Sequence, residues 1–173
     1  MREKTSKNSE KLVFDATPLI YLSKIDYLEK LDQLGTEKII PEKVFSEVVE
    51  EGKQSGEVDA ERIGKAVEEG SFRVEEAEIN EEHDKLSRAD LQVLEIAEKE
   101  DGIAVMDEQY GRNIAEVEDI ETRGTAYLVL RILKQEIIDM KEAKNAIDEI
   151  IDEGWYCSTS LYKDIIAKIK EIE

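Results

Sequence analysis

Two short apolar runs in this chain each end abruptly at an aspartate: Leu12-Val13-Phe14-Asp15 and Ile103-Ala104-Val105-Met106-Asp107. Unbroken runs of this length, each followed by helix-like sequence, predict strands buried on both faces of a parallel sheet. After the first, Asp15-Ala16-Thr17-Pro18 opens a helix, proline being tolerated in a first turn, and Leu28, Leu31 and Leu34 extend its stripe as far as Gly35. Lys38-Ile39-Ile40 predicts a second strand. Pro41 then starts a helix carrying Val44, Phe45, Val48 and Val49, 52–56 reads as a loop, and 58–69 as an amphipathic helix with Gly64 inside it. Phe72-Arg73-Val74 is a further strand candidate. Ser87 caps a helix over 88–100 whose apolar side holds Leu91, Leu94 and Ala97, widened by Val93 and Ile96. The strand at 103–106 is followed by a helix near 109–117, a strand near 119–122, and a helix from Gly124-Thr125 to about Lys134. Helices over 140–153 and 159–172 close the chain, with Gly154-Trp155-Tyr156 turning between them. This alternation predicts an α/β fold of three layers, a central, mainly parallel sheet flanked by helices. Residues 1–10 read as a disordered tail, 11–138 as the main domain, and 139–173 as a C-terminal helical addition packed on it.

Composition narrows the functional classes. The 173 residues suffice for one domain with a real core, and 40% hydrophobic against 39% charged residues describes a globular chain with a heavily charged surface. Lys+Arg number 24 against 43 Asp+Glu, a formal charge of -19. Such a charge repels nucleic acid at long range, so a nucleic-acid partner requires a local basic rim or metal bridging. The one cysteine, Cys157, excludes an internal disulfide and a thiolate metal cluster. The one histidine, His83, lies in the polar stretch Asn80-Glu81-Glu82-His83-Asp84-Lys85 and reads as a loop or helix-start residue. A zinc site of several histidines is thereby excluded, and Ser-His-Asp catalysis is a poor fit. No apolar run approaches the ~20 residues of a membrane span, and the polar start carries no signal-peptide pattern. The expectation is a cytoplasmic protein without a membrane partner.

The carboxylates hold the chemistry. In open α/β sheets, ligands bind beyond the carboxyl ends of the strands, where Asp15 and Asp107 are expected. Each has an ordinary rival role, Asp15 as the cap of the helix around Pro18 and Asp107 as a turn residue, with Glu108 a first-turn acid beside the helix dipole. Asp90 stands at capping-box spacing from Ser87; at the start of a helix that begins by the crevice, the same acid faces a metal. Glu47 lies off the Val44/Phe45/Val48/Val49 stripe, and periodicity reads it as solvated. Mg²⁺ or Mn²⁺ takes oxygen ligands, commonly one or two carboxylates directly with several waters. Acids that converge without cations stay ionised together only around a bound ion. Such a site suits in-line displacement at a phosphodiester.

The same residues resemble the PIN-domain family. Leu12 to Ile20 resembles its opening motif, Ile40 to Val48 the second, Leu86 to Ala97 the third, and Ala104 to Glu108, with Arg112 and Ala115 after it, the fourth. The likeness continues through Gly124-Thr125 and Ile137-Ile138, and Gly154 to Ser158 with Leu161-Tyr162 resembles the end of a subfamily related to VapC toxins. The resemblance implies a PIN-like nuclease domain at 11–138 and metal-dependent endoribonuclease chemistry. It implies Asp15, Glu47, Asp90 and Asp107 as catalytic acids, with Asp15, Asp90 and Asp107 as metal ligands, so Glu47 enters against its helical-wheel reading. Thr17, Thr125 and Glu108 are supporting candidates, although glutamate stands where relatives often carry a second aspartate. Arg112 and Arg123 are candidates for RNA contact, each with a surface ion pair as its rival role. The implied partners are RNA, an antitoxin protein and a second copy of the chain. Two other readings stand beside it: a catalytically silent PIN-fold module that binds protein or RNA, and a haloacid-dehalogenase-type phosphatase, which needs an aspartate where this chain has Thr17.

Overall fold

A computed structural model describes residues 10–172. The five-stranded sheet has the order β3-β2-β1-β4-β5, with β1 at Lys11–Phe14, β2 at Glu37–Pro41, β3 at Arg73–Glu75, β4 at Ile103–Val105 and β5 at Thr122–Arg123. Every neighbouring pair is parallel; Val13 aligns with Ile39 on one side and with Ala104 on the other. Leu12, Val13, Phe14, Ile39, Ile40, Ala104 and Val105 are fully buried, as strands covered on both faces must be. The strand order reverses between β1 and β4, so the crevice of this fold opens beyond Phe14 and Val105.

Helices flank the sheet. α1 (Ala16–Lys24) and α2 (Leu28–Asp32) follow β1, and α5 (Val58–Glu68) precedes β3. α6 (Arg88–Glu100) packs across β1, β2 and β4. α7 (Gln109–Val117) leads to β5, and α8 (Thr125–Lys134), α9 (Met140–Asp152) and α10 (Thr159–Glu171) follow it. Ile147 and Ile150 of α9 and Ile165 and Ile169 of α10 lie in the same apolar core as β1.

Four local expectations change. The helical stripe from Asp15 to Gly35 breaks at Asp26, whose φ of 61° separates α1 from α2. The helix after Pro41 is not uniform: α3 (Glu42–Phe45) runs into a π-helical turn at Ser46–Glu51 and continues as α4 (Gly52–Gln54), so 52–54 is helix rather than loop. Packing explains the glycines here. A Cβ on Gly52 would sit 2.7 Å from Ala60 Cβ, and one on Gly64 3.2 Å from both Val49 Cγ1 and Lys53 Nζ. The propensity cost of Gly64, about 1 kcal/mol, is the condition for that close helix crossing. β5 starts at Thr122 because Asp119, at φ 61°, is still turning the chain out of α7. Of the expected tail, residues 1–9 lie outside the described residues. Glu10 is tied down: its carbonyl accepts from Glu37 N at 2.9 Å and its carboxylate pairs with Arg131.

Candidate active site

Asp15 is the N-cap of α1, its Oδ1 accepting from Ala16 N at 2.8 Å. Its amide donates to Val105 O at 2.9 Å, which fastens it to the end of β4. The residue is 9% exposed. Burial, then the charge of Asp90, then those of Glu47 and Asp107, push its pKa from the ordinary 3.8 up to about 7, against the lowering effect of the Ala16 amide. The charges of acids distant along the chain therefore act on one carboxylate: Glu47 in the π-helical turn, Asp90 at the start of α6 and Asp107 just beyond β4.

Asp90 takes part in the capping box that its spacing predicts. Ser87 Oγ accepts from Asp90 N at 3.1 Å, and Asp90 Oδ2 accepts from Ser87 N at 3.0 Å. Capping and proximity to Asp15 hold together, since the box occupies one carboxylate oxygen. Glu47 keeps the exposure its wheel position predicts, yet partial burial of the carboxyl, then Glu51 and Asp90, push its pKa up, while Lys43 lowers it. It stands at the rim.

Asp107 does more than turn the chain. Oδ1 accepts from Thr125 N at 2.8 Å, and Oδ2 from Thr125 Oγ1 at 2.6 Å. The cap position of α8 is Gly124, which has no side chain to offer, so Asp107 caps α8 from 18 residues away. A Cβ on Gly124 would lie 2.6 Å from Asp107 Oδ1, so the backbone can approach only as glycine. Thr125 is fully buried. Among the described residues Asp15, Glu47, Asp90 and Asp107 form no ion pair.

The other expected residues divide. Glu108 faces away from this role: its oxygens accept from Tyr110 N at 2.9 Å and Gly111 N at 2.6 Å, making it the N-cap of α7. Thr17 is half-buried in the first turn of α1 and makes no side-chain hydrogen bond among the described residues. Arg112 is half-buried, its Nη1 3.9 Å from the point a Gly124 Cβ would occupy, beside Asp107. Arg123 is engaged locally, with Glu121 at 2.9 Å, Thr122 O at 2.9 Å and the Tyr127 ring centroid at 5.2 Å. The two arginines line one concavity of about 430 Å³ with Gln109, Asn113 and Thr122, and with Glu116, Asp119 and Glu121. His83 is a loop residue whose Nδ1 accepts from Lys85 N at 3.2 Å and whose ring meets Tyr110 edge-on. Cys157 is half-buried against the core, and burial raises its thiol pKa.

Sequence reasoning missed Gln92. It is buried between α3 and the stretch before α6, and its signal was a polar residue in the apolar stripe of Ala89, Val93, Ile96 and Ala97.

The donor set is all oxygen, the preference of Mg²⁺ and Mn²⁺. The Asp15 carboxylate accepts one hydrogen bond, from Ala16 N, and the charges that raise its pKa are those of acids, an arrangement that a divalent cation relieves. Among the described residues, no three acidic, histidine or cysteine side chains stand close enough to hold one ion together. The geometry fits an ion held by one or two carboxylates directly and by the others through water.

The family model DUF3368, described as a PIN domain, matches residues 11–171. The chain belongs to this PIN-domain family. No curated protein matches it. Among five matching solved chains is a domain of a functionally unknown protein from Methanocaldococcus jannaschii DSM 2661. It is 21% identical, with a TM-score of 0.49, over 67% of this chain and 91% of that one. PIN domains are generally nucleases that use divalent metals. Among the described residues, no helix is long and apolar enough to cross a membrane.

Proposed function

We propose that this chain is a Mg²⁺- or Mn²⁺-dependent endoribonuclease of the VapC-related kind, acting as a toxin or in RNA processing in the cytoplasm. The observation that carries the reading is Asp15, buried at the strand-order switch and raised to about 7 by burial and by three acids from separate segments. A bound divalent ion supplies Lewis-acid stabilisation of the phosphodiester's developing charge and makes an attacking water more acidic. One or two of Asp15, Asp90 and Asp107 would hold the ion directly and the remainder through water. Burial and the neighbouring acids raise the Asp15 pKa, and an ion bound there would favour its ionised form. Glu47 at the rim would hold the ion through a water and orient that water for attack. Thr125 fixes both oxygens of Asp107, Thr17 in the first turn of α1 would orient a water, and Glu108 holds the start of α7. Arg112 and Arg123 meet the RNA phosphates, with Arg112 the freer of the two. An antitoxin protein and a second copy of the chain are the expected protein partners.

The test is cleavage of RNA with Mn²⁺ by wild type and by Asp15→Asn: the reading expects loss of activity in the variant, and equal cleavage by both contradicts it. A silent RNA- or protein-binding module is the second reading, favoured by the lack of a preformed three-acid group. Calorimetric titration separates the two, because absence of binding at millimolar Mn²⁺ supports the silent module.

A further inference from the structure

Gln92 is 4% exposed. A primary amide in such a place costs roughly 1–3 kcal/mol unless it is hydrogen-bonded. Both of its ends are: Oε1 accepts from Lys43 N at 2.9 Å, and Nε2 donates to Ala77 O at 2.9 Å. The partners are informative. Lys43 is the second residue of α3, whose cap position is Pro41 and offers no side-chain hydrogen bond. Gln92 thus satisfies, from the neighbouring helix, an amide that α3 leaves open. Ala77 lies in the stretch that delivers Ser87 and Asp90 to the crevice. α3 is four residues long and passes straight into a π-helical turn, so it has little rigidity of its own.

One carboxamide therefore joins α6, two residues beyond Asp90, to the helix start one turn before Glu47. We propose that Gln92 is a positioning residue of the acidic crevice, locking α3 to α6 and so fixing the separation of the Glu47 and Asp90 carboxylates. The inference rests on the metal-site reading of that crevice. An apolar side chain of the same length fills the space but grips neither partner, leaving α3 free to shift and the charge of Glu47 to leave the crevice.

Binding of Mn²⁺ alone is measured by calorimetry in the full chain as wild type, Gln92→Met, Glu47→Gln and the double variant. Gln92→Met is expected to weaken binding about ten- to a hundredfold, the usual cost of removing a group that orients metal ligands. In the Glu47→Gln background that effect disappears, while the loss of thermal stability is the same in both backgrounds. Affinity unchanged by Gln92→Met, or lowered equally in both backgrounds, overturns the proposal. A metal-free readout runs beside it: spin labels placed by Glu42→Cys and Glu95→Cys in a Cys157→Ser chain. The distance distribution broadens on Gln92→Met, and an unchanged width overturns the proposal. If wild type binds no Mn²⁺, the metal-site reading fails by itself and the label distances decide the role of Gln92. Should Gln92→Met not fold, Gln92→Asn replaces it: an amide one methylene shorter cannot span Lys43 N and Ala77 O together, so a broadened label distribution is expected, and one as narrow as that of wild type overturns the proposal.

Discussion

The two ends of the sheet treat charge in opposite ways. Where β1 and β2 begin, acids meet bases: Lys11 pairs with Glu100 at 2.7 Å, and Arg73 with Glu37 at 2.9 Å. There the Lys11 hydrogen bond holds the Glu100 carboxyl below its ordinary pKa. Where β1 and β4 finish, Asp15 is buried among acids and its pKa is raised. A chain of charge -19 has acids to spare anywhere, so their number says little. What separates a solvated or paired carboxylate from a site is burial without a cation, and that occurs at the switch in strand order.

The largest expected effect is on stability against pH. Asp15 has a raised folded-state pKa, so its contribution to stability is fully present below the ordinary value of 3.8 and is lost as pH rises through about 7. At about 1.4 kcal/mol per pKa unit, the metal-free wild type should lose on the order of 4 kcal/mol relative to Asp15→Asn between pH 4 and pH 8. Urea unfolding in chelator across that range measures it; parallel curves break the contrast between the two ends. Glu100, with its lowered pKa, has the opposite sign, contributing above its ordinary range and losing that contribution as pH falls.

Next is activity. Asp15→Asn keeps the cap on α1, since asparagine also accepts from Ala16 N, but should cut Mn²⁺-dependent RNA cleavage roughly a hundredfold or more, the loss of several kcal/mol of transition-state stabilisation. A folded variant that cleaves like wild type removes Asp15 from the site. Thr125→Val leaves Asp107 Oδ2 without its hydroxyl donor and should cost about 1.5–3 kcal/mol in thermal unfolding, with weaker metal binding. The smallest effect belongs to the paired end. Lys11→Met should cost about 1 kcal/mol or less and leave metal binding unchanged; a large change in metal affinity there would erase the distinction between the ends.

Much of this architecture was legible along the chain. Apolar runs ending in Asp15 and Asp107 marked β1 and β4 because strands buried on both faces permit few other residues. Ser87 and Asp90 announced the start of α6 by spacing, and in the structure the capping acid also raises the pKa of Asp15. The π-helical turn was not legible, because the residues from Ser46 to Glu51 suit an ordinary helix equally well and tertiary packing against Gly64 and Ala60 accompanies the departure. Glu47 was legible only through family resemblance, since its wheel position is a solvated one. Gln92 went unread between Leu91 and Val93 of the apolar side, and Gly124 passed as a helix start. Their roles depend on Lys43, Ala77 and Asp107, partners 15 to 49 residues distant that periodicity does not reach.

The central claim is that Asp15, Glu47, Asp90 and Asp107 enclose one place for a divalent ion. A crystal structure of the chain with Mn²⁺, read by anomalous scattering, tests it most directly. The account predicts a manganese peak on the Asp15 carboxylate beyond the ends of β1 and β4, at about 2.1 Å as for magnesium-type ions, with Asp90 or Asp107 as its neighbour. No peak at that place with saturating Mn²⁺, and the four carboxylates turned to separate solvent, would contradict it.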